Sequence, residues 1–151
     1  MINQISTKTR FGWISAFENN GKIFKIQFGR LKKQTKSKTL KNFRKKLLKF
    51  FNRKISYIKT PYKMSGNLTQ KRIWNELKKV KFGSTISYGK IAKKHQLSPR
   101  HVGKICGQNN LLLVIPCHRV IRSDGSLGGF TSVGGVKLKK KLLEFEKTWV
   151  I

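Results

Sequence analysis

The sequence predicts a mixed α/β fold of the α+β type. A small sheet-plus-helix domain comes first, and a mainly helical domain that contains a helix-turn-helix follows it. Strand-forming residues concentrate between Phe11 and Phe28, whereas helical periodicity dominates after residue 68. A Pro- and Gly-containing stretch with weak periodicity separates the two regions. We therefore predict an N-terminal domain at 1–60, a linker at 61–67 and a C-terminal domain at 68–151.

The N-terminal region is predicted to form a hairpin followed by a basic helix. Asn19-Asn20-Gly21 lies between two runs of strand formers and is typical of a turn with positive φ. From Arg30 to Lys54, 12 of 25 residues are basic and none is acidic. This segment fits either a solvated helix packed on the hairpin or an electrostatic surface for DNA, and the two are compatible. Its apolar residues fall on one helical face, namely Leu40, Phe43, Leu47, Phe50 and Phe51.

The C-terminal region is predicted to contain four helices. Thr69 can cap the first, whose apolar face includes Ile73 and Trp74. Two short helices, Tyr88 to His95 and Arg100 to Cys106, are separated by a turn. Ser98 is suited to the N-cap of the second and Pro99 to its first position. The last helix starts near Val136 and places Leu138, Leu142, Phe145 and Trp149 on one face.

The charge of the chain predicts a polyanionic partner. Lys and Arg number 35 against 5 Asp and Glu, which gives a formal charge of +30. The excess positive charges repel one another in a compact fold, and binding to nucleic acid relieves this repulsion. No apolar run approaches the roughly 20 residues that cross a bilayer, and the N-terminus lacks the pattern of a signal peptide. We therefore expect a cytoplasmic protein that associates with DNA and not with membranes. We also expect it to be a monomer.

Cys117 and His118 are adjacent and follow an apolar run. In so basic a protein we expect the thiolate, which is the nucleophilic form, to be favoured. Because adjacent side chains diverge, a water molecule is needed to connect His118, acting as a base, to the thiol, with a carboxylate beyond it. Periodicity does not select that carboxylate among the five acids, which are Glu18, Glu76, Asp124, Glu144 and Glu146.

The segment Ile115-Pro116-Cys117-His118-Arg119-Val120 resembles the active-site motif of the O6-alkylguanine-DNA alkyltransferases. Other residues follow in the order of that family: Ile86-Ser87-Tyr88-Gly89, Arg100, Asn109, the glycine loop Asp124-Gly125-Ser126-Leu127-Gly128-Gly129 that leads to Phe130, and Lys137 and Glu144. The resemblance covers residues 68 to 148, whereas the N-terminal region matches only in its coarse layout.

The resemblance implies direct-reversal repair, a methylated-DNA–protein-cysteine S-methyltransferase activity. Cys117 would take the alkyl group from guanine O6 in double-stranded DNA irreversibly, after the base is flipped out. Glu144, His118 and a water molecule would form the relay that deprotonates Cys117. No cofactor is implied, and with neither Cys nor His before His95 we expect no zinc site.

The same resemblance implies roles in binding the lesion. Tyr88 would crowd the adjacent phosphate and donate to the flipped guanine, while Arg100 would fill the gap that the base leaves. Phe130 stands where many members of the family have Tyr, so the apolar wall is kept and a hydroxyl is lost. The remaining implied residues of the pocket and its hinge are Asn109, Val120, Thr131 and Lys137.

Two other classes of function compete with this interpretation. A basic helix-turn-helix regulator or architectural protein would bind DNA without catalysis, with Cys117 as a core residue. A nuclease built on the N-terminal region would need clustered carboxylates. Glu18 is the single acid before Glu76, which argues against the nuclease.

Overall fold

The computed structural model describes residues 1–130 and 134–148. Its elements are β1 (Asn3–Thr9), β2 (Gly12–Asn19), β3 (Lys22–Phe28), α1 (Lys38–Phe51), α2 (Leu68–Leu77), β4 (Ile86–Ser87), α3 (Tyr88–His95), α4 (Pro99–Gly107), β5 (Val120–Ile121) and α5 (Gly135–Lys147). A single 3₁₀ turn, Cys117–Arg119, precedes β5. The mixed α/β fold is confirmed. The chain divides into two compact units, Met1–Ser65 with Asn110–Val114, and Gly66–Asn109 with Ile115–Ile151.

The first unit is an antiparallel sheet of three strands, in the order β1-β2-β3, that packs on α1. The predicted hairpin is β2–β3, and its turn residues Asn20 and Gly21 have φ angles of 52° and 79°. Both values lie in the left-handed region that a two-residue hairpin turn requires. The predicted apolar face of α1 is buried, and Ser37 caps the helix by accepting from the backbone of Leu40.

Strand β1 was not predicted from the sequence because its buried positions are mostly polar. Ile5 is its single buried apolar residue, whereas Ser6 and Thr7 are buried with hydrogen bonds. The hydroxyl of Ser6 lies 2.9 Å from that of Ser15, and Arg44 donates to Thr7 at 3.2 Å. These bonds offset the cost of burying hydroxyl groups, so a strand forms without apolar alternation.

The predicted boundaries between domains need two corrections. Residues of the predicted linker 61–67 pair with β3, since Pro61 accepts from Ile23 and Lys63 donates to it. The segment Asn110–Val114 belongs to the first unit, where the carbonyl of Asn110 accepts from Ile26 at 2.8 Å. The predicted second domain, 68–151, is therefore interrupted.

The second unit contains α2, the helix-turn-helix α3–α4, and α5. Asn67, and not Thr69, caps α2, because Asn67 and Gln70 bond reciprocally to each other's backbone. Ser98 caps α4 and Pro99 occupies its first turn, as predicted. Trp74 of α2 donates to the carbonyl of Ile105 in α4 at 3.0 Å. Within the described ranges, no helix is both long and apolar enough to cross a membrane. Trp149, which was predicted on the apolar face of the last helix, lies outside those ranges.

A parallel pair of two-residue strands brings the helix-turn-helix to the segment that carries Cys117. Ile86 of β4 pairs with Val120 of β5, and Ser87 pairs with Ile121. Ser87 also caps α3 through a bond from the backbone of Lys90. Tyr88, the first residue of α3, is thereby fixed close in space to residues that follow the 3₁₀ turn.

Candidate active site

Cys117 lies at the start of the 3₁₀ turn and lines a cavity of about 730 Å³ in the second unit. Its thiol is buried, with 6% of the residue exposed. Elements distant in sequence contribute to the same cavity, including Tyr88 of α3, Arg100 of α4 and Phe130 of the glycine loop. The structure thus brings together four of the predicted site residues.

The buried amide of Asn109 holds the backbone that leads into the turn. Its Nδ2 donates to the carbonyl of Ile115 at 2.8 Å, two residues before Cys117. A hydrogen bond from Asn109 also favours the thiolate of Cys117. Asn109 therefore holds the backbone before Cys117 and contacts the Cys117 side chain as well.

Burial decides the ionisation of the thiol. Burial raises the pKa of Cys117, and the hydrogen bond from Asn109 and the charge of Lys139 oppose that effect without cancelling it. The expectation that the charge of the chain favours the thiolate is therefore wrong for the resting site. The thiol is protonated near neutral pH, so a nucleophile is formed only when a base removes the proton.

His118 forms a buried pair with Glu146 of α5. Its Nε2 lies 2.8 Å from Oε2 of Glu146. Burial lowers the pKa of His118 more than the carboxylate raises it, so the ring is neutral. With Nε2–H donated to the carboxylate, Nδ1 carries the lone pair, which is the form of imidazole that accepts a proton.

Arg119 holds the same carboxylate from the other side. Its Nε donates to Oε1 of Glu146 at 2.8 Å, and a terminal nitrogen donates to Oε2 at 2.8 Å. Another terminal nitrogen donates to the carbonyl of Val80 at 2.7 Å. Burial works to raise the pKa of Glu146, but the bonds from Arg119 and His118 outweigh it and lower the pKa to about 2.

The prediction that Glu144 partners His118 is wrong. Glu144 is exposed, whereas Glu146 is buried and bonded to His118. The apolar stripe of α5 consists of Leu138, Leu142 and Phe145. At 100° per residue, Glu146 lies on the flank of that stripe and Glu144 lies on the opposite side.

Lys137, which was predicted among the pocket and hinge residues, is likewise replaced by a residue two positions further along α5. Lys137 is exposed, whereas Lys139 is fully buried. The ammonium of Lys139 donates to the hydroxyl of Tyr88 and to the carbonyl of Gly129, both at 3.2 Å. Lys139 and Glu146 are seven residues apart, which places both on one face of α5. Two charged residues spaced in this way beside an apolar stripe were the signal available in the sequence.

Tyr88 forms one wall of the cavity. Burial raises its pKa to about 12, so the phenol stays protonated and can donate a hydrogen bond. Gly128 lies against its ring with φ of 74°, and a Cβ there would approach a ring carbon to 3.0 Å. A side chain at 128 would therefore press on the ring of Tyr88, which would have to shift by a few tenths of an ångström. The exposed Arg100 lies in the first turn of α4 at the rim of the same cavity.

The other predicted pocket residues differ in their placement. Phe130 lines the cavity, whereas Val120 is fully buried in β5 and is absent from the cavity wall formed by the described residues. Thr131 lies outside the described residues. Cys106 of α4, which the prediction left out, does line the cavity. Burial raises its pKa to about 12, so it is a weaker nucleophile than an ordinary cysteine.

Comparisons with known proteins converge on one family. The family model described as 6-O-methylguanine DNA methyltransferase, DNA binding domain, matches residues 68–148. A methylated-DNA–protein-cysteine methyltransferase of Metallosphaera sedula is 34% identical over 149 residues, which cover 97% of this chain and 94% of that protein. A protein of the same name from Methanocaldococcus vulcanius is 46% identical over 86 residues, and the match spans about half of that relative, 52%.

Solved structures share the fold. The crystal structure of Mycobacterium tuberculosis O6-methylguanine methyltransferase matches with a TM-score of 0.86 at 24% identity, covering 100% of this chain and 96% of that one. The structure of the Pyrococcus kodakaraensis O6-methylguanine-DNA methyltransferase has a TM-score of 0.63 at 25% identity, covering 97% of this chain and 99% of that one. The α+β architecture is therefore common to these proteins.

Glu146→Gln is expected to reduce the acid sensitivity of folding. The folded pKa of about 2 lies below the ordinary 4.5, so the ionised carboxylate stabilises the fold above that ordinary value. This contribution, on the order of 3 kcal/mol, is lost as pH falls toward the folded pKa. Urea unfolding measured from about pH 6 to about pH 3 should show a shallower loss of stability in Glu146→Gln than in the wild type. Glu144→Gln should follow the wild type, and equal slopes for all three proteins would contradict the assignment.

Proposed function

Because the chain belongs to the 6-O-methylguanine DNA methyltransferase family, we propose that it repairs O6-alkylguanine in double-stranded DNA by moving the alkyl group to Cys117. The observation that carries this proposal is the Cys117 thiol in a cavity lined by the helix-turn-helix, directly followed by the buried His118–Glu146 pair. With DNA as its substrate, the protein acts inside the cell.

The reaction is a displacement at carbon. The sulfur of Cys117 forms a bond to the alkyl carbon while the bond from that carbon to guanine O6 breaks. The electron pair stays on the guanine, which takes up one proton from solvent, and this proton balances the one that the Cys117 thiol has lost. The product is a thioether, which water does not readily cleave, so each protein molecule acts once.

His118 and Glu146 generate the nucleophile. Because burial raises the pKa of Cys117, the thiol needs a base close by. Neutral His118 takes the proton through a bridging water, and Glu146 then stabilises the imidazolium that forms. Lys139, whose charge opposes the effect of burial on Cys117, favours the thiolate once the proton has left.

The helix-turn-helix presents the base to the thiol. The α4 helix enters the minor groove, and Arg100 in its first turn takes the place of the extruded guanine. Tyr88 donates a hydrogen bond from its hydroxyl to the flipped base, since its raised pKa keeps it protonated and Lys139 donates to its oxygen. Phe130 forms the apolar wall beside the alkyl group.

Mixing the protein with duplex DNA that contains O6-methylguanine should transfer at most one methyl group per protein molecule, to Cys117. Peptide mass spectrometry locates the added mass. Cys117→Ser should abolish transfer and keep affinity for the duplex, since affinity comes mainly from Lys and Arg contacts to phosphate. Cys106→Ser is the matched control and should transfer normally. Turnover beyond one equivalent, or label on Cys106, would refute the proposal.

Glu146→Gln should slow alkyl transfer by about tenfold or more near neutral pH, because the imidazolium loses its carboxylate partner. The deficit should shrink as pH rises and the thiol ionises without help. That recovery separates a role in proton transfer from a loss of folded protein, which alkali does not repair. Glu144→Gln is the matched control. A rate for Glu146→Gln equal to the wild type at every pH would rule out the relay.

Arg100→Ala should slow repair of duplex DNA far more than reaction with free O6-alkylguanine, which needs no extrusion. Unstacking costs a few kcal/mol, so losing the group that stabilises the flipped state slows the duplex reaction by about tenfold or more. Single-turnover rates at saturating protein make this comparison. If saturation restores the duplex rate, Arg100 contributes to binding alone and the flipping role is wrong.

A further inference from the structure

Helix α1 carries a row of four exposed lysines, Lys38, Lys41, Lys45 and Lys49, which we call the lysine stripe. The intervals of three, four and four residues place all four on one face of the helix. At 100° per residue, the centre of this stripe lies about 180° from the buried apolar face. The stripe therefore points away from the sheet on which α1 packs.

The other cations of α1 have different surroundings. Arg44 is half-buried and donates to Thr7, to the carbonyl of Ser6 and to the side chain of Gln34. Lys46 is half-buried and donates to the carbonyl of Lys59. These two residues hold α1 in the first unit. The stripe consists of the lysines that this packing leaves facing outward.

The stripe opposes the stability of its own helix. The first turn of α1 contains no acidic residue to interact with the helix dipole, and Lys38 begins the helix instead. Lys41 and Lys45, and likewise Lys45 and Lys49, are like charges four residues apart, an arrangement that destabilises a helix. A row of phosphates would reverse both effects.

The first unit offers almost no internal counter-charge. Residues 1–65 contain 18 Lys and Arg and a single acid, Glu18. That carboxylate is buried, and it accepts from the side chain of Asn3 and from the backbone of Gly21. The counter-charge for the stripe therefore comes from outside the unit.

We propose that the lysine stripe is a second DNA-binding surface, which lies along the phosphates of a duplex and acts in addition to α3–α4. The stripe extends over twelve residues of helix, and the eleven steps between Lys38 and Lys49 span about 16 Å, the rise of about five phosphates on one strand. A regular row of lysines fits a regular row of phosphates and requires no base contact. This binding needs neither Cys117 nor a lesion, so it goes beyond the proposed repair reaction.

The test compares two triple variants that remove the same charge. Lys41→Gln, Lys45→Gln and Lys49→Gln alter the stripe, whereas Lys8→Gln, Lys22→Gln and Lys25→Gln alter exposed positions on the sheet. Fluorescence anisotropy with an undamaged duplex, over a range of salt concentrations, gives the affinity and its salt dependence. Loss of three phosphate contacts should weaken binding by about tenfold or more at about 0.1 M salt and reduce the log–log salt slope by about 2.7. The sheet variant should retain the slope of the wild type.

Reaction with free O6-methylguanine serves as the control for folding and chemistry, and both triple variants should match the wild type. A parallel reaction with the methylated duplex separates the two proposals, because an absence of transfer from both substrates in every protein would refute the repair reaction and leave the DNA titrations interpretable. Equal losses of affinity in the two triple variants would show a general effect of net charge and would contradict the proposed role of the lysine stripe. No loss in the stripe variant would overturn it as well. A stripe variant that loses affinity for single-stranded RNA while keeping affinity for duplex DNA would show that the partner is wrong.

Discussion

The second unit depends on the hydrogen bonds that the buried carboxylate of Glu146 accepts. This carboxylate accepts from His118 and from two nitrogens of Arg119, each at 2.8 Å. Because Arg119 also donates to the carbonyl of Val80, one carboxylate connects α5, the turn that carries Cys117 and the segment after α2. A buried charge is stable when its partners are complete, so removing one of these groups leaves another charge uncompensated. The position of the thiol and the basicity of its neighbour therefore have the same origin.

The formal charge of +30 and the chemistry at Cys117 act at different places. Exposed lysines are screened by solvent and attract a polyanion over distances of the order of the Debye length. Inside the cavity, burial dominates and raises the pKa of Cys117, with a smaller opposing effect from the buried Lys139. A protein can thus be strongly basic and still keep its nucleophile neutral at rest. This separation protects the thiol until a substrate enters and explains the need for a local base.

Sequence patterns predicted the parts of the structure that rest on apolar periodicity and on turn or cap chemistry. The buried face of α1, the Asn20-Gly21 turn and the Ser98 cap are of this kind. The missed features rest on polar burial. Strand β1 buries Ser6 and Thr7, whose hydrogen-bond partners come from other elements and cannot be read from local pattern. Glu146 and Lys139 were missed because residues of α5 were selected by family spacing across a loop, and helical geometry does not fix the length of a loop. The helical phase around Leu142 does distinguish the two flanks of α5.

The buried polar groups favour the proposed alkyl transfer over a regulator built on the same helix-turn-helix. A DNA-binding module needs its reading helix, its caps and exposed cations, and an apolar core serves it well. Placing Glu146, His118, Arg119 and Lys139 inside the unit costs desolvation that apolar residues of similar volume would avoid. His118 and Arg119, the two residues directly after Cys117, converge on the carboxylate of Glu146, and Lys139 donates to the hydroxyl of Tyr88. This desolvation cost is concentrated around the thiol, where proton transfer and a developing thiolate require charged partners. A protein that only binds DNA would have no need of these buried charges.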